Sequence, residues 1–459
     1  CVLFFVVLDA FDMNALAMGG VVGLLVGAMF ARPYARFWEA VMRGIGSPTS
    51  VAIIVILLVV GMLSALVKAT NISGGFVWVA HSVGASGAVL TLFTFVACGL
   101  ISMATGSSIG TMFTVFPIFY PAGVLLGADP AFLAGALVSG AILGDNLAPI
   151  SDTTIISSST QRFRFKEGTA DIGGVVSSRA RYAMTAAAVS ALGFLLLGGG
   201  SGTGASAETL AKNATPGPLI MLIPVAIMLV VSFRTRDIFK AVTVGLGLGT
   251  ITALAFGLIK VSDIVGVKDG APTGFLVTGV AGMVPTIALV ISVFGIMGVL
   301  QEAGVLRRVV DALVQGKLAG TPRGSEVAIG LGITATTLLF GGVNSASMLT
   351  FGPVADELGA RQDLHPYRRA NVMDCFAMGI ACVVPILSAF LFIGVLLTDG
   401  YKGAPALSTT ELFPAVLYPL VLTVVMIVVV ATGWGRRFEG PGGVALRERP
   451  TAEELRTVS

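Results

Sequence analysis

The stretch from Gly144 to Thr154, Gly-Asp-Asn-Leu-Ala-Pro-Ile-Ser-Asp-Thr-Thr, sets two carboxylates, a proline and a cluster of hydroxyls directly behind an apolar run. That run, Pro130 to Gly144, is too short to cross a bilayer, which takes about 20 apolar residues in a helix. The crossing must therefore continue through the motif, and Asp145 falls at membrane depth. An aspartate there costs roughly 2.5 to 3.5 kcal/mol on insertion scales, so it is expected to face a cavity, a partner or an ion. Pro149 removes a backbone donor and disturbs the preceding turn, freeing carbonyls such as those of Asp145 and Asn146. Free carbonyls, carboxylates, and the amide and hydroxyl oxygens of Asn146, Ser151 and Thr153 are hard ligands of the kind that hard cations prefer. Low dielectric disfavours a lone buried carboxylate anion. Proton and cation would then compete for one seat, which is the minimal requirement for exchange. Asp152 has two readings, as a ligand of the same ion or as an interfacial helix cap followed by solvated threonines.

The rest of the chain supports a membrane setting. Of its 459 residues 55% are hydrophobic and only 12% charged. Stretches free of Asp, Glu, Lys and Arg cover residues 13–31, 44–67, 69–128, 182–207, 213–233, 241–259, 271–301, 327–355, 375–398 and 412–435. Divided at their Gly, Ser and Pro clusters, they give about twelve or thirteen crossings. The expected fold is an all-α polytopic membrane protein in one transmembrane domain, residues 1–459. The basic loop 161–181 and the tail from Trp434 to Ser459 carry too few apolar residues for a core of their own.

Most of the 28 Lys and Arg residues fall on one side when alternate loops are assigned to it: Arg32, Arg36 and Arg43, the clusters 162–181, 234–240, 307–323 and 361–369, and the tail. The positive-inside rule makes that side cytoplasmic, in a cell (inner) membrane, with the C-terminus inside. The spread of positive charge over many loops points away from nucleic acid. Cys1, Cys98, Cys375 and Cys382 lack metal-ligand or disulfide spacing and read as small apolar residues. The run Val2 to Leu8 behind Cys1 reads as the end of a truncated crossing, which would place the native N-terminus in the cytoplasm; a lipid-anchored Cys1 is the other reading. Gly19, Gly23 and Gly27 are expected to let helices approach closely.

Two segments share a layout. Gly61 to Leu66 ends a span, a Gly-Ser break follows at 106–108, and a helix leads to Asp145 and Pro149. Gly295 to Leu300 ends another, a Gly-Asn-Ser break follows at 341–345, and a helix carries Asp374 and Pro385. Corresponding features lie roughly 230 residues apart, as in an internal duplication, and the loop charges give the halves opposite orientation. Two inverted-topology repeats with interrupted or re-entrant helices follow: repeat 1 about 44–160, connecting helices about 179–260, repeat 2 about 275–398, and the last helix with its tail at 412–459. In such transporters, paired interruptions near the midplane point to the binding site. Ser107, Ser108 and Thr111 belong to the first break, which reads equally as a re-entrant tip or as the turn between two crossings. Asn344, Ser345 and Ser347 belong to the second. Asp374 would join the site with Asn371, or pair with Arg368 and Arg369 nearby.

The block from Gly106 to Thr154, Gly-Ser-Ser-Ile-Gly-Thr followed by Gly-Asp-Asn-Leu-Ala-Pro-Ile-Ser-Asp-Thr-Thr, resembles the sodium/proton antiporter family of NhaC type. Asn344 through His365-Pro366 and Arg369 to Asp374 resembles its second repeat more loosely. The resemblance spans roughly residues 50 to 400. It implies an ion transporter fold with Asp145, Ser151, Asp152 and Asp374 in the transport site, and sodium ligands drawn from Asp145, Asp152 and Asp374. Two positions depart from the family pattern: Met373 stands where an acid is usual, and Ser388 is the one hydroxyl just after Pro385.

The reading is secondary active transport, sodium (or lithium) leaving the cytoplasm as protons enter, with no cofactor and with small cations and the lipid bilayer as partners. A homodimer is compatible with it. The chain has no Gly-x-x-x-x-Gly-Lys loop, which argues against ATP as the driving force. Exchange or symport of organic anions or amino acids on the same fold is the second reading, with Ser157 to Thr160 and the 106–111 amides as candidate donors. A membrane-embedded hydrolase would need a catalytic histidine or metal cluster, and His81 and His365 lie far from the acids in sequence.

Overall fold

The computed structural model describes residues 13–71, 75, 78, 86–200, 215–235, 238–268, 270–305, 308, 317–385, 388–401 and 403–451. Cys1 and His81 lie outside them. The described chain is almost entirely helical: α1 Met13–Phe30, α2 Tyr34–Ile45, α3 Pro48–Ala69, α4 Gly87–Thr105, α5 Ser108–Leu125, α6 Pro130–Leu147, α7 Asp152–Ser159, α8 Ile172–Leu197, α9 Leu222–Thr235, α10 Ile238–Ala255, α11 Phe275–Glu302, α12 Pro322–Leu339, α13 Asn344–Ala360, α14 Pro366–Ala377, α15 Ala389–Thr398, α16 Thr409–Ala415 and α17 Leu417–Thr432. Two short antiparallel ribbons, Gly266–Lys268 with Ala271–Thr273 and Phe438–Glu439 with Ala445–Leu446, complete it.

Among the described residues five helical stretches are long and apolar enough to cross a bilayer: Gly87–Thr105, Ser108–Leu125, Pro130–Ser159, Ile172–Leu197 and Phe275–Glu302. The pair α16 and α17, bent by 52° at Val416, makes a sixth. Shorter apolar helices accompany them, among them Ile54–Ala69, Phe239–Ala255 and Ala389–Thr398. Counting the bent pair and five such shorter helices, the described residues give eleven apolar helices, short of the expected twelve or thirteen crossings. The stretch Pro130–Ser159 is long and apolar enough to cross only when it runs on through the motif: α6 stops at Leu147, residues 148–151 turn, and α7 resumes under a Ser151 cap that accepts from Thr153 N.

Glycines draw the helices around this break together. Gly140 and Gly144 on α6 sit against the α4 backbone, where a β-carbon on Gly144 would lie 2.2 Å from the Gly99 carbonyl oxygen. Ser102 on α4 donates to the Ala141 carbonyl at 2.6 Å and Cys98 to that of Leu137. Cys98, Cys375 and Cys382 are free and buried. The turn between α4 and α5 passes through Gly106 in the left-handed region (φ 68°), and its α-carbon lies against Ile150 of the α6–α7 break.

The second half repeats this abutment. Gly341 and Gly342 (φ 60° and 80°) turn the chain between α12 and α13, and the Gly341 carbonyl accepts from Ala389 N at the start of α15. The halves also interlock reciprocally: α5, after one break, packs on α15, and α13 packs on α7. Between them α3 meets α11 in opposite directions, Gly61 against Gly279 and Met283, Leu57 beside Leu289 and Val293.

Three expectations change. Gly23 faces open space and Gly27 meets only the Phe37 ring at 3.4 Å; α1 instead approaches α11 at Gly20, against Ser292. Gly23 is exposed, and among the described residues no partner helix lies over it. The polar loop and tail are not loose ends either. Backbone amides of Arg164 and Phe165 donate to the buried Glu439, His365 N donates to the Arg437 carbonyl, and Asp363 bridges Arg164 and Arg449. Arg368 does not pair with Asp374: it meets the buried Glu326 at 2.7 Å, which Arg436 of the tail also holds at 2.6 Å, while Arg369 lies 3.3 Å from Asp356. Six residues, under two turns of helix, separate Arg368 from Asp374 along the chain, but the two side chains leave α14 on different sides.

Backbone-to-backbone glycine contacts leave no room for side chains. Gly61→Leu is expected to lower stability by about 1–3 kcal/mol or more through overpacking, whereas Gly23→Leu leaves it within about 0.5 kcal/mol. Unfolding midpoints of the two variants in detergent check this.

Candidate functional site

The first turns of four helices open onto one cavity of about 380 Å³, lined by Ser107, Ser108, Asp145, Ser151, Asp152, Thr153, Asn344, Ser345 and the start of α15 at Ala389 and Phe390. The cause is the pair of abutting breaks in each half: the Gly106 turn sets the α5 terminus beside Ser151, and the Gly341-Gly342 turn sets the α13 terminus beside Ala389. Eight of the residues singled out from sequence thus share one space.

Asp145 is the buried carboxylate of this cavity. It accepts from Ser151 Oγ at 2.5 Å and from Ser108 Oγ at 2.8 Å, one hydroxyl from each of the two abutting breaks. Among the described residues it has no Lys or Arg at ion-pair distance, so its charge is answered by hydroxyls alone. Asp152 is exposed and also lines a second cavity of about 230 Å³ with Thr105, Ser107, Thr111 and Thr114, walled by Met228, Ala241 and Val242 of α9 and α10. It is the first residue of α7 and not its cap, which is Ser151. Thr111 belongs to this second space, its hydroxyl 3.1 Å from that of Thr105. Thr153 and Thr154 are buried, against the reading of a solvated cap. Asn344 fits best with its carboxamide nitrogen donating to the carbonyls of Gly342 and Ala377 at 3.3 and 3.1 Å, and Ser347 donates to Val343.

Asp374 lies apart from the cavity lining. It is fully buried, 2.8 Å from the guanidinium of Arg179, and accepts from Asn146 Nδ2 at 2.8 Å and Ser157 Oγ at 2.9 Å. Asn146 is held in turn by the Tyr418 hydroxyl at 3.0 Å. Its backbone carbonyl, one of those Pro149 was expected to free, accepts from Arg179; that of Asp145 accepts from Ala148 N. Ser158, Ser159 and Thr160 turn to carbonyls of their own helix and not to a ligand space. His365 caps α14 at the basic end of the molecule, where burial pushes its pKa down to about 4, so it is neutral at physiological pH.

Arg179 is the residue sequence reading missed. The charge-free stretch begins after Arg181, which assigned residues 161–181 to a loop. The helix in fact starts at Ile172, capped by Asp171, whose side chain accepts from Gly174 N. An aspartate before a Gly- and Val-rich run is a helix-start signal, and it would have put Arg179 two turns inside. The donor set in the cavity is all oxygen. Among the described residues no three His, Cys, Asp or Glu side chains gather as a metal centre, and hydroxyls with carboxylates suit hard cations.

Comparison with known proteins agrees with this chemistry. The profile of the Na+/H+ antiporter family matches residues 1–198 and 205–434. The malate-2H+/Na+-lactate antiporter of Bacillus subtilis is 27% identical over 331 residues, 67% of each chain. The Na+/H+ antiporter NhaC of Alkalihalophilus pseudofirmus is 33% identical over 136 residues, 29% of each chain, and the NhaC of Bacillus subtilis 22% over 331 residues, 65% of this chain and 69% of that one. The chain therefore matches from under a third to about two thirds of the length of these relatives.

A buried ion pair is costly to break from one side. Asp374→Asn leaves Arg179 charged and unpaired and is expected to cost about 3–5 kcal/mol, whereas removing both charges with R179Q/D374N costs far less. Unfolding midpoints of the single and double variants in detergent measure the difference.

Proposed function

The chain belongs to the Na+/H+ antiporter family, and from that premise we propose that it exchanges sodium (or lithium) for protons at Asp145, driven by the ion gradients alone. The observation that carries this reading is a buried carboxylate with no cationic partner among the described residues, held by two hydroxyls at the wall of an oxygen-lined cavity. Ionised and empty, such a group is costly to carry through a low-dielectric interior. A proton or a sodium ion neutralises it, so either loaded form can change its access while the empty anion is held back. Ser108 and Ser151 already point their oxygens at the carboxylate and would share a bound cation with it. Asn344 and Ser345 face the same space from the second half. Asp152, exposed between two cavities, attracts cations to the mouth without having to be stripped of water itself.

The segments 44–160 and 275–398 act in this reading as the two inverted repeats, and their reciprocal packing of α5 on α15 and α13 on α7 supports it. Alternating access would rock one against the other around the cavity. The Arg-rich loop, the 361–369 segment and the tail gather at one end, which the positive-inside rule makes cytoplasmic in a cell membrane. Sodium then leaves as protons enter.

A second reading has its own observation. The cavity exceeds what a bare ion fills, and the starts of four helices, at Ser108, Asp152, Asn344 and Ala389, line it; such ends favour a carboxylate. The Bacillus subtilis relative named for malate and lactate exchange makes a small organic acid the natural candidate cargo beside sodium.

In everted vesicles, sodium added to a preformed pH gradient is expected to dissipate it, and Asp145→Asn to abolish the response with the protein still inserted. Full activity of Asp145→Asn, with loss only on Asp374→Asn, would refute the assignment. A response that appears only when lactate or malate is supplied would favour the second reading.

A further inference from the structure

The guanidinium of Arg179 is fully buried and has five N–H groups, and the structure supplies five oxygens. Nε donates to Asn371 Oδ1 at 3.2 Å, one terminal nitrogen to the Asn146 carbonyl at 2.7 Å and Thr154 Oγ1 at 3.0 Å, and the other to Ser157 Oγ at 3.1 Å and Asp374 Oδ2 at 2.8 Å. A carboxylate, a carbonyl freed by a helix break, two hydroxyls and an amide oxygen are also what a dehydrated monovalent cation would take as its shell. Here the shell is already occupied, by a cation that belongs to the chain. An arginine is not deprotonated in proteins, and its tether on α8 keeps it from leaving.

We infer that Arg179 is a resident cation filling a second, all-oxygen cation site, so that Asp374 takes no part in exchange and the protein carries a single sodium, at Asp145. The inference rests on the antiport reading above and deepens it by stating how many ions the site turns over. With Arg179 in place, Asp374 presents no uncompensated charge for a proton or a sodium to neutralise. Asp145, one residue before Asn146 in the same helix end, presents one. Arg179 thus ties the end of α6, through the Asn146 carbonyl, to α7 and α14, and makes no contact with Asp145 or its hydroxyls.

The test is the number of sodium ions bound by the purified full chain in detergent, titrated with radioactive sodium at alkaline pH. One saturable ion per protein is expected, lost on Asp145→Asn and retained in the charge-neutral R179Q/D374N. R179Q alone empties the second shell and is expected to raise the count to two, a change that a merely structural arginine would not produce. Two ions in the unaltered protein, loss of the site in a monodisperse R179Q/D374N, or a count that stays at one in folded R179Q would each overturn the inference. Should R179Q not fold, the unaltered protein and the double variant still decide. The antiport reading is checked separately: if no sodium binds, that reading falls and this one with it, whereas two ions bound to the unaltered protein remove only this one.

Discussion

A helix that stops inside a bilayer leaves its first amides and last carbonyls with no water to bond. This chain stops helices at four neighbouring places, and much of its architecture follows from how each end is satisfied. Ser107, Ser151 and Ser388 cap the helices that restart after a break, each accepting from a backbone amide in the first turn. The Gly341 carbonyl takes an amide from the opposite break. The open carbonyl at the end of α6 takes a guanidinium. Breaks that satisfy one another have to touch, and touching breaks enclose the space that Asp145 faces.

The two buried carboxylates near the end of α6, one lining this space and one set back from it, are treated in opposite ways. Asp374 is matched by a full charge and two neutral donors, Asp145 by two hydroxyls only. Burial alone does not distinguish them; the difference lies in what α8 brings to one and not to the other. A matched buried pair contributes little net stability but is costly to break from one side, which suits a fixed part of a moving protein. A carboxylate held only by hydroxyls can exchange the species that neutralises it.

The membrane setting, the break at Pro149 and the meeting of Gly106, Asp145, Ser151 and Asn344 could be read from the chain, because each rests on a local rule: too few apolar residues to cross, a proline, a Gly-Ser turn. What could not be read depends on directions in space. Asp374 lies five and six residues from two arginines in sequence, yet its partner is 195 positions away on another helix, since Arg368 and Arg369 point toward the tail. Gly23 looks like a packing glycine in a string of letters, and only the placement of α11 shows that Gly20 has that role. Arg179 was hidden by its neighbours, as a charged run at a helix start looks the same as a loop until the cap at Asp171 is noticed.

The seam between α3 and α11 has a mechanical character of its own. Where Gly61 faces Gly279 the two helices touch main chain to main chain, while Met283 beside Gly61 and Leu57 beside Leu289 and Val293 supply the side chains of the seam. Interlocked helices resist sliding because each knob must climb out of its hole. At Gly61 and Gly279 two β-carbons are missing, so at that one level neither helix has a knob to seat. The glycines that bring α3 and α11 close thus also mark the level of the seam where a change of register would meet backbone and not an interlocked side chain.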